Sequence, residues 1–281
     1  MTPPSVSIIL PCWNAEKVVA TAIRSILGQT YIDWELVAVD DGSTDGTRNL
    51  LVSCSSKEPR LHLIRKERQE GAAAARNAGL RVASGRFLMF LDADDWWLPG
   101  KIENQLKALR DGAGMVFSPY WAWSQQRSTV VGLVDAPAQI RYKDLLWRDP
   151  IGCLTVAYDR NAWEDCEAPL LWMRNDWALW MRLLRQGREA VRVDEPDAVL
   201  RLHRESLTAD KTAAARATYR LLRTEGGQGP GSALWGVLVH NAAAVGRRIR
   251  RQRNLERFRR AKGWSFEELN SRCSPPQGKD S

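Results

Sequence analysis

Short apolar runs alternate with helix-period stretches through the first 120 residues, and this rhythm constrains the fold more than any other feature of the chain. Val6–Pro11, Glu35–Asp40, Leu61–Arg65, Phe87–Leu91 and Met115–Pro119 read as buried strands bounded by turn residues. Helices are predicted between them at Lys17–Gln29, Thr47–Ser53, Ala72–Ala83 and Gly100–Arg110. Strands joined through helices pair in parallel, because the chain must cross back before the next strand begins. The expected fold class is therefore α/β, a mostly parallel sheet flanked by helices. Sites in such sheets form at the carboxyl ends of the strands, where loops and helix N-termini converge. The polar loops lie there: Pro11-Cys12-Trp13-Asn14 after the first strand, Asp40-Asp41-Gly42-Ser43 after the second and Asp92-Ala93-Asp94-Asp95 after the fourth.

Crowded carboxylates at a strand end repel one another unless a cation or a helix N-terminus neutralises them. Asp92 and Asp94 can hold Mg²⁺ or Mn²⁺ with substrate phosphates and water as the other ligands, or the acids can cap the helix that begins near Pro99. A carboxylate in the Asp40–Gly46 loop can accept from the imide N–H of a uracil-like base, or the loop can be an Asx-turn with an N-cap at Ser43 or Asp45. Gly71–Gly79 is a small-residue helix start in which Arg76 can meet a phosphate or pair with the acidic loops. In Arg174–Leu184, Trp177, Trp180 and Leu184 share a helical stripe that reads as core, with Asp176 at the helix start.

Together these motifs resemble the family 2 glycosyltransferases of GT-A fold, from Ser5 to about Glu205. The resemblance is carried by SVSIILPCWNAEKVVATAIRSILGQTYIDWELVAVDDGSTDGT, GAAAARNAGLRVASGRFLMFLDADDWWLPGKI and RNDWALWMRLLRQG, in that order. It implies an inverting transfer from a nucleotide-sugar, with UDP as the expected nucleotide, to a hydroxyl of a glycan or lipid-linked saccharide in surface-polysaccharide synthesis. It also implies residue roles: Pro11, Cys12, Trp13 and Asn14 lining base and ribose, Asp41 on the uracil, Arg76 near the phosphates, and Asp92-Ala93-Asp94 at ribose and metal. Asp94 is the expected direct metal ligand, His203 either a further metal or phosphate contact or a satisfied structural histidine, and Asp176 the general base. Asn175 departs from the pattern, since many relatives carry an acid directly before the catalytic Asp.

Charge separates the rest of the chain from this body. Of 41 Lys/Arg and 33 Asp/Glu residues, nine basic residues and one acid fall in Arg247–Lys262, which leaves 32 of each sign elsewhere. The basic segment predicts peripheral contact with an anionic membrane, mainly electrostatic, with Ile249, Leu255 and Phe258 as a thin apolar face. No nucleic-acid partner is expected, because no aromatic-interleaved platform or DNA-binding motif accompanies it. The expected organisation is a catalytic domain at 1–205 and a helical basic extension at 206–281, with a flexible Gly-rich break near 226–232 and a helix pair or one long helix over Leu234–Lys262. Five scattered cysteines without a C-x-x-C pair predict reduced thiols in a cytoplasm, and no run is long enough for a signal core or a membrane span. Two other functions compete with transfer: a nucleotidyltransferase, which lacks its Gly-rich phosphate loop here, and a catalytically silent nucleotide-sugar-binding subunit.

Overall fold

The computed structural model describes residues 4–164, 167–203 and 210–277, without the side chains of 244–245 and 247–249. Strands and helices alternate first as β1 (Val6–Cys12), α1 (Val19–Leu27), β2 (Trp34–Asp40), α2 (Thr47–Lys57), β3 (Leu61–Arg65), α3 (Ala72–Val82) and β4 (Phe87–Phe90). There follow β5 (Trp96–Trp97), α4 (Lys101–Arg110), β6 (Met115–Phe117), β7 (Tyr120–Ser124), β8 (Thr129–Val134), β9 (Gln139–Ile140) and α5 (Tyr142–Leu145). The remainder is β10 (Ala157–Asp159), α6 (Asn175–Arg185), β11 (Ala190–Arg192), β12 (Ala198–Leu202), α7 (Lys211–Thr224), α8 (Pro230–Lys262) and α9 (Phe266–Cys273).

The main sheet runs β3-β2-β1-β4-β10-β6-β11-β9, and its first four strands are parallel. All seven residues of β2 are buried, as a central strand covered on both faces requires. Helix α1 turns Val19, Ala22, Ile23 and Ile26 inward at the spacing of one helical face. Helix α3 approaches β1 closely at Gly79, where a Cβ would come within 2.7 Å of the Ile9 side chain.

Beyond β4 the parallel series expected from the sequence gives way to a mixed sheet. Met115–Phe117 does not pair with β4, because β10 inserts between them, antiparallel to both. Polar anchors hold it there: Asp159 takes the Arg86 guanidinium at 2.6 Å, and the Arg160 N–H donates to the Arg86 carbonyl. The strand expected over Leu154–Tyr158 is therefore split. Cys153–Thr155 is a tight helical turn closed on the Gly152 carbonyl, and only Ala157–Asp159 is extended.

A second sheet, β5-β12-β7-β8, lies beside the first. Trp96, Trp121, Trp123 and Val199 from it form a cluster that also contains Leu255 of α8 and Leu269 and Cys273 of α9. The thin apolar face expected to meet a membrane is thus turned inward at two of its positions. Leu255 is buried, and Phe258 meets Trp121 and Trp264 edge-on. Ile249, the third position, has its side chain outside the described set. Within the Gly-rich 226–232 stretch, Gly226 and Gln228 donate back to Leu221 and Leu222 of α7, and α8 begins at Pro230. Helix α8 is one continuous helix, as one of the two sequence readings had it. Cys12, Cys54, Cys153 and Cys273 are free thiols, and Cys166 lies outside the described residues.

Glu35 ties three segments of this body together. Its carboxylate accepts from Ser7 Oγ at 2.5 Å and from the Ser84 N–H and hydroxyl at 2.6 and 2.9 Å. Burial pushes the carboxyl up, but hydrogen bonds from Ser7, Ser84 and Gly85 outweigh burial and hold it below the ordinary glutamate value. A depressed carboxyl stabilises the fold above its unfolded-state pKa, and that contribution disappears as pH falls through the folded-state value. Glu35→Gln is expected to cost roughly 1–3 kcal/mol at neutral pH. Urea titrations should show the gap from wild type closing as the pH is taken down through the acid range.

Candidate active site

The β1 and β2 loops are stitched to one another through Asn14. This residue adopts a left-handed backbone at φ 46°, a conformation Asn tolerates better than most residues. Its side chain accepts from the Thr44 N–H at 2.9 Å, and its own N–H donates to Ser43 Oγ at 3.1 Å. Trp13 stands exposed beside it, whereas the Cys12 side chain is buried in the core under the sheet. The Cys12 thiol is pushed up by burial and by the nearby Asp40 and Asp92 carboxylates. Pro11 is half-buried at the strand end.

The two neighbouring aspartates of the β2 loop divide their work. Asp40 accepts from the Ser43 N–H at 3.1 Å and from Arg48 at 2.7 Å, closing the turn. Asp45 accepts from the Thr47 N–H at 3.0 Å, so the start of α2 is satisfied without Asp41. Asp41 reaches instead across to the start of α3. It accepts from the backbone N–H groups of Glu70 at 3.1 Å and Gly71 at 2.7 Å and pairs with Lys66 at 3.0 Å. Gly71 sits at φ 94°, and a Cβ there would lie 3.2 Å from the exposed ring of Trp172.

The acids after β4 do not cap α4, whose N-cap is Gly100 with no side-chain cap. They take three separate partners. Asp92 accepts from the Arg76 guanidinium at 2.5 Å, Asp94 meets His203 Nε2 at 2.9 Å, and Asp95 accepts from the Arg201 N–H at 2.8 Å. Asp95 is buried, and burial first, then Asp94 and Asp92, raise its pKa well above the ordinary aspartate range. Asp92 and Asp94 each keep about a third of their side chains accessible, 36% in both cases. Ala93 between them is buried.

Arg76 joins the acidic loop to the start of α6. It donates to both Asp92 and the Asn175 side chain, and its Nε has no hydrogen-bond partner among the described residues. Burial opposes its charge, but Asp92, Cys153 and Asp176 outweigh burial and raise its pKa. Arg174, the residue before α6, has φ 64° and makes no side-chain cap, and neither does Asp176 in the first turn. Trp177, Trp180 and Leu184 are buried core residues, as the stripe predicts.

Asp92 and Asp176 line one cleft of about 340 Å³, together with Arg148, Cys153, Arg174 and the α8 residues His240, Arg250, Arg251 and Asn254. Asp41, Asp94 and His203 do not line it. Among the described residues, no three His, Cys, Asp or Glu side chains converge into a complete metal cage. A pair such as Asp94 and His203 suits a cation whose remaining ligands are substrate phosphates and water. Sequence reasoning missed the whole α8 wall. The only signal for it was His240, one of three histidines in the chain, placed where its ring stacks on Trp177 at 5.0 Å. A broader depression of about 770 Å³, bordered by Arg141, Tyr142, Arg185 and Arg188, contains none of these acids.

The chain is similar to known proteins on both sequence and structure. Residues 7–144 match the model of the family described as glycosyl transferase family 2. TuaG of Bacillus subtilis (strain 168), named as a glycosyltransferase of teichuronic acid biosynthesis, is 36% identical over 221 residues, which are 78% of this chain and 88% of TuaG. WfgD of Escherichia coli, a UDP-Glc:α-D-GlcNAc-diphosphoundecaprenol β-1,3-glucosyltransferase, is 36% identical over 219 residues, 77% of this chain and 85% of WfgD. Among solved structures, S. aureus TarS 1–349 in complex with UDP-GlcNAc superposes with a TM-score of 0.64 at 18% identity, covering 78% of this chain and 66% of that one. The mannosyltransferase PcManGT of Pyrobaculum calidifontis, in complex with GDP-Man and Mn²⁺, gives 0.62 at 21% identity, covering 87% and 75%.

Proposed function

The chain belongs to the family 2 glycosyltransferases and has their GT-A-type sheet, and from that premise we propose that it moves a sugar from a UDP-sugar to a hydroxyl of a lipid-linked saccharide, inverting the anomeric carbon. The observation that carries this reading is the junction at Arg76. One buried guanidinium holds Asp92 of the acidic loop against Asn175 of α6, so the Asp176 carboxylate and the acidic loop face the same cleft. WfgD, which shares three-quarters of this chain's length, supports the choice of UDP-sugar and of a diphosphate-linked acceptor.

In this reading the Asn14–Thr44 and Asp41–Gly71 clamps shape the pocket for the base and ribose, with Pro11 and Trp13 along its edge. Cys12 contributes through its backbone, since its thiol is buried. The unpartnered Nε of Arg76 is left to donate to a donor phosphate. A divalent cation, Mn²⁺ or Mg²⁺, held by Asp94 with His203 and Asp92 alongside, supplies charge that offsets the leaving nucleoside diphosphate. Asp176 takes the proton of the attacking hydroxyl as the new bond forms, because a neutral sugar hydroxyl is a poor nucleophile. A single displacement from the face opposite the diphosphate inverts the anomeric carbon.

Among the described residues no helix is long and apolar enough to cross a membrane. Contact with the cytoplasmic face of an anionic membrane is carried by the outward side of α8, where Arg253, Arg257 and Arg260 are exposed and Leu234, Trp235 and Leu238 stand free of the core.

Calorimetric titration with UDP, GDP and dTDP, with and without Mn²⁺, tests the donor half. UDP should bind in a metal-dependent manner, and Asp94→Asn should weaken it by about tenfold or more, the loss of one charged ligand. Binding of all three nucleotides without regard to metal would sink the assigned donor site.

A further inference from the structure

We infer that Lys101 and Gln105 of α4 are positioning residues for the transfer, which hold the Cys153–Thr155 turn in the cleft it shares with Asp176; this rests on the reading of Asp176 as the general base. Lys101 and Gln105 are both 0% exposed, and both meet the same atom. The Thr155 carbonyl accepts from Lys101 Nζ at 3.3 Å and from Gln105 Nε2. The preceding carbonyl, that of Leu154, accepts from Trp97 Nε1 at 2.9 Å. Three buried side chains from the segment that follows the acidic loop thus grip the turn.

The other side of the turn faces the reaction. Gly152, Cys153 and Leu154 line the cleft together with Asp92 and Asp176. Inside the turn, Thr155 closes on the Gly152 carbonyl through its N–H at 2.9 Å and its hydroxyl at 2.7 Å. Those bonds fix the shape of the turn but not its orientation, since a closed turn can pivot as a unit. Its orientation relative to α4 and β5 is set by Lys101, Gln105 and Trp97.

A buried ammonium loses its hydration, and Lys101 replaces it with Thr155, with Asp197 Oδ1 at 3.4 Å and with the face of Trp97 at 5.2 Å. Burial pulls the Lys101 pKa down and pushes the Asp197 carboxyl up, and each charge opposes the other's shift. A buried pair of this kind adds little net stability over apolar residues of the same volume, whereas its hydrogen bonds are directional. Asp197 is itself fixed by the Ser118 hydroxyl at 2.8 Å and directly precedes β12. The far end of β12 brings the Arg201 N–H to Asp95 and His203 to Asp94. Lys101 therefore links the turn on the Asp176 side to the strand on the metal side. Displacing a reacting group by about 1 Å costs on the order of 10²-fold in rate, so an anchor of this sort is felt in turnover.

The test uses the full chain with two variants, Gln105→Met and Lys101→Met/Asp197→Asn. Gln105→Met keeps the side-chain volume, leaves the ion pair intact and removes an Oε1 that has no hydrogen-bond partner among the described residues, so the fold is expected to survive it. The double variant removes both charges together and strands neither. Transfer is followed as UDP release from UDP-glucose or UDP-N-acetylglucosamine, with a lipid-linked N-acetylglucosamine diphosphate as acceptor. Both variants are expected to lower kcat/KM for that acceptor by about tenfold or more, while UDP affinity with Mn²⁺ stays within about twofold. Iodoacetamide labelling of Cys153, a free and buried thiol on the turn itself, should quicken by about tenfold or more when read by mass spectrometry on the folded protein. Labelling and kcat/KM both within about twofold of wild type in the two variants would overturn the proposal, because a merely stabilising network changes neither in the folded protein. UDP affinity falling in step with transfer would also overturn it, by giving the network to the donor side. A wild type that binds UDP but releases none from either sugar nucleotide would count against the proposed function, and the Cys153 labelling rates alone would then uphold or overturn the role of the two side chains.

Discussion

Asp176→Asn is expected to lower the rate of transfer by about 10²–10⁴-fold while UDP affinity in the presence of Mn²⁺ changes by less than about twofold. The substitution keeps the shape of the side chain and removes its capacity to accept a proton. Asp176 is suited to that loss being chemical rather than structural. It lies in the first turn of α6, is only partly buried, and serves as no side-chain cap. The neighbouring Asn175, by contrast, is buried and bound to Arg76, so its replacement should disturb the junction itself. The measurement is a steady-state assay run beside a nucleotide titration on the same preparation. Loss of transfer with UDP binding intact fits a general base. Near-full activity would hand that role to another group, and loss of both readouts would make Asp176 part of the donor site.

The split between what could and could not be read from the sequence follows the range of the contacts. β1, β2, β3 and β4 were legible because each is a short apolar run whose burial is recorded in its own residues, and the acidic loops were legible because strand ends are where carboxylates collect. The insertion of β10 was not legible. Ala157–Asp159 is three residues long, and its place beside β4 depends on Arg86 and Asp159, 73 positions apart. Trp96–Trp97 likewise reads as an apolar pair after the acids, and only pairing with Ala198 and Val199 makes it a strand of the second sheet.

The site shows the same division. A ligand role for Asp41 came from its position at a strand end, but its carboxylate also clamps the Glu70–Gly71 turn, for which the sequence offered a glycine and no partner. The basic segment was legible only on its charged side. Charge density describes what α8 shows to solvent, whereas Leu255 and Phe258, expected as part of a thin membrane face, pack against the second sheet. A helix with nine cations in sixteen residues can still have a buried stripe, because residues four apart share a face whatever lies between them.

That docking makes Leu255 the position with the largest expected effect on stability. Leu255→Ala should destabilise the protein by about 2–5 kcal/mol, the range for removing a buried leucine side chain from a packed core. Leu255 is 5% exposed and shares its cluster with Trp96, Trp121 and Leu269. The surroundings are poorly placed to collapse into the space, since the cluster is fixed on several sides. Trp96 Nε1 donates to the Cys273 carbonyl at 3.1 Å, and Asn270 accepts from both Thr129 and the Val130 N–H at 2.9 Å. Denaturant unfolding at neutral pH measures the loss. A solvated basic tail predicts the opposite pattern, a change within about 0.5 kcal/mol and a drop in vesicle binding alone. The same variant also separates the two halves of the site. Arg251 and Asn254 lie on α8 within one turn of Leu255 and line the cleft, whereas the donor clamps at Asn14 and Asp41 are built from the β1, β2 and α3 segments. Under conditions where the variant remains folded, acceptor KM should rise while metal-dependent UDP binding holds, because loosening α8 moves one side of the cleft that Asp176 lines and leaves the nucleotide loops where they are.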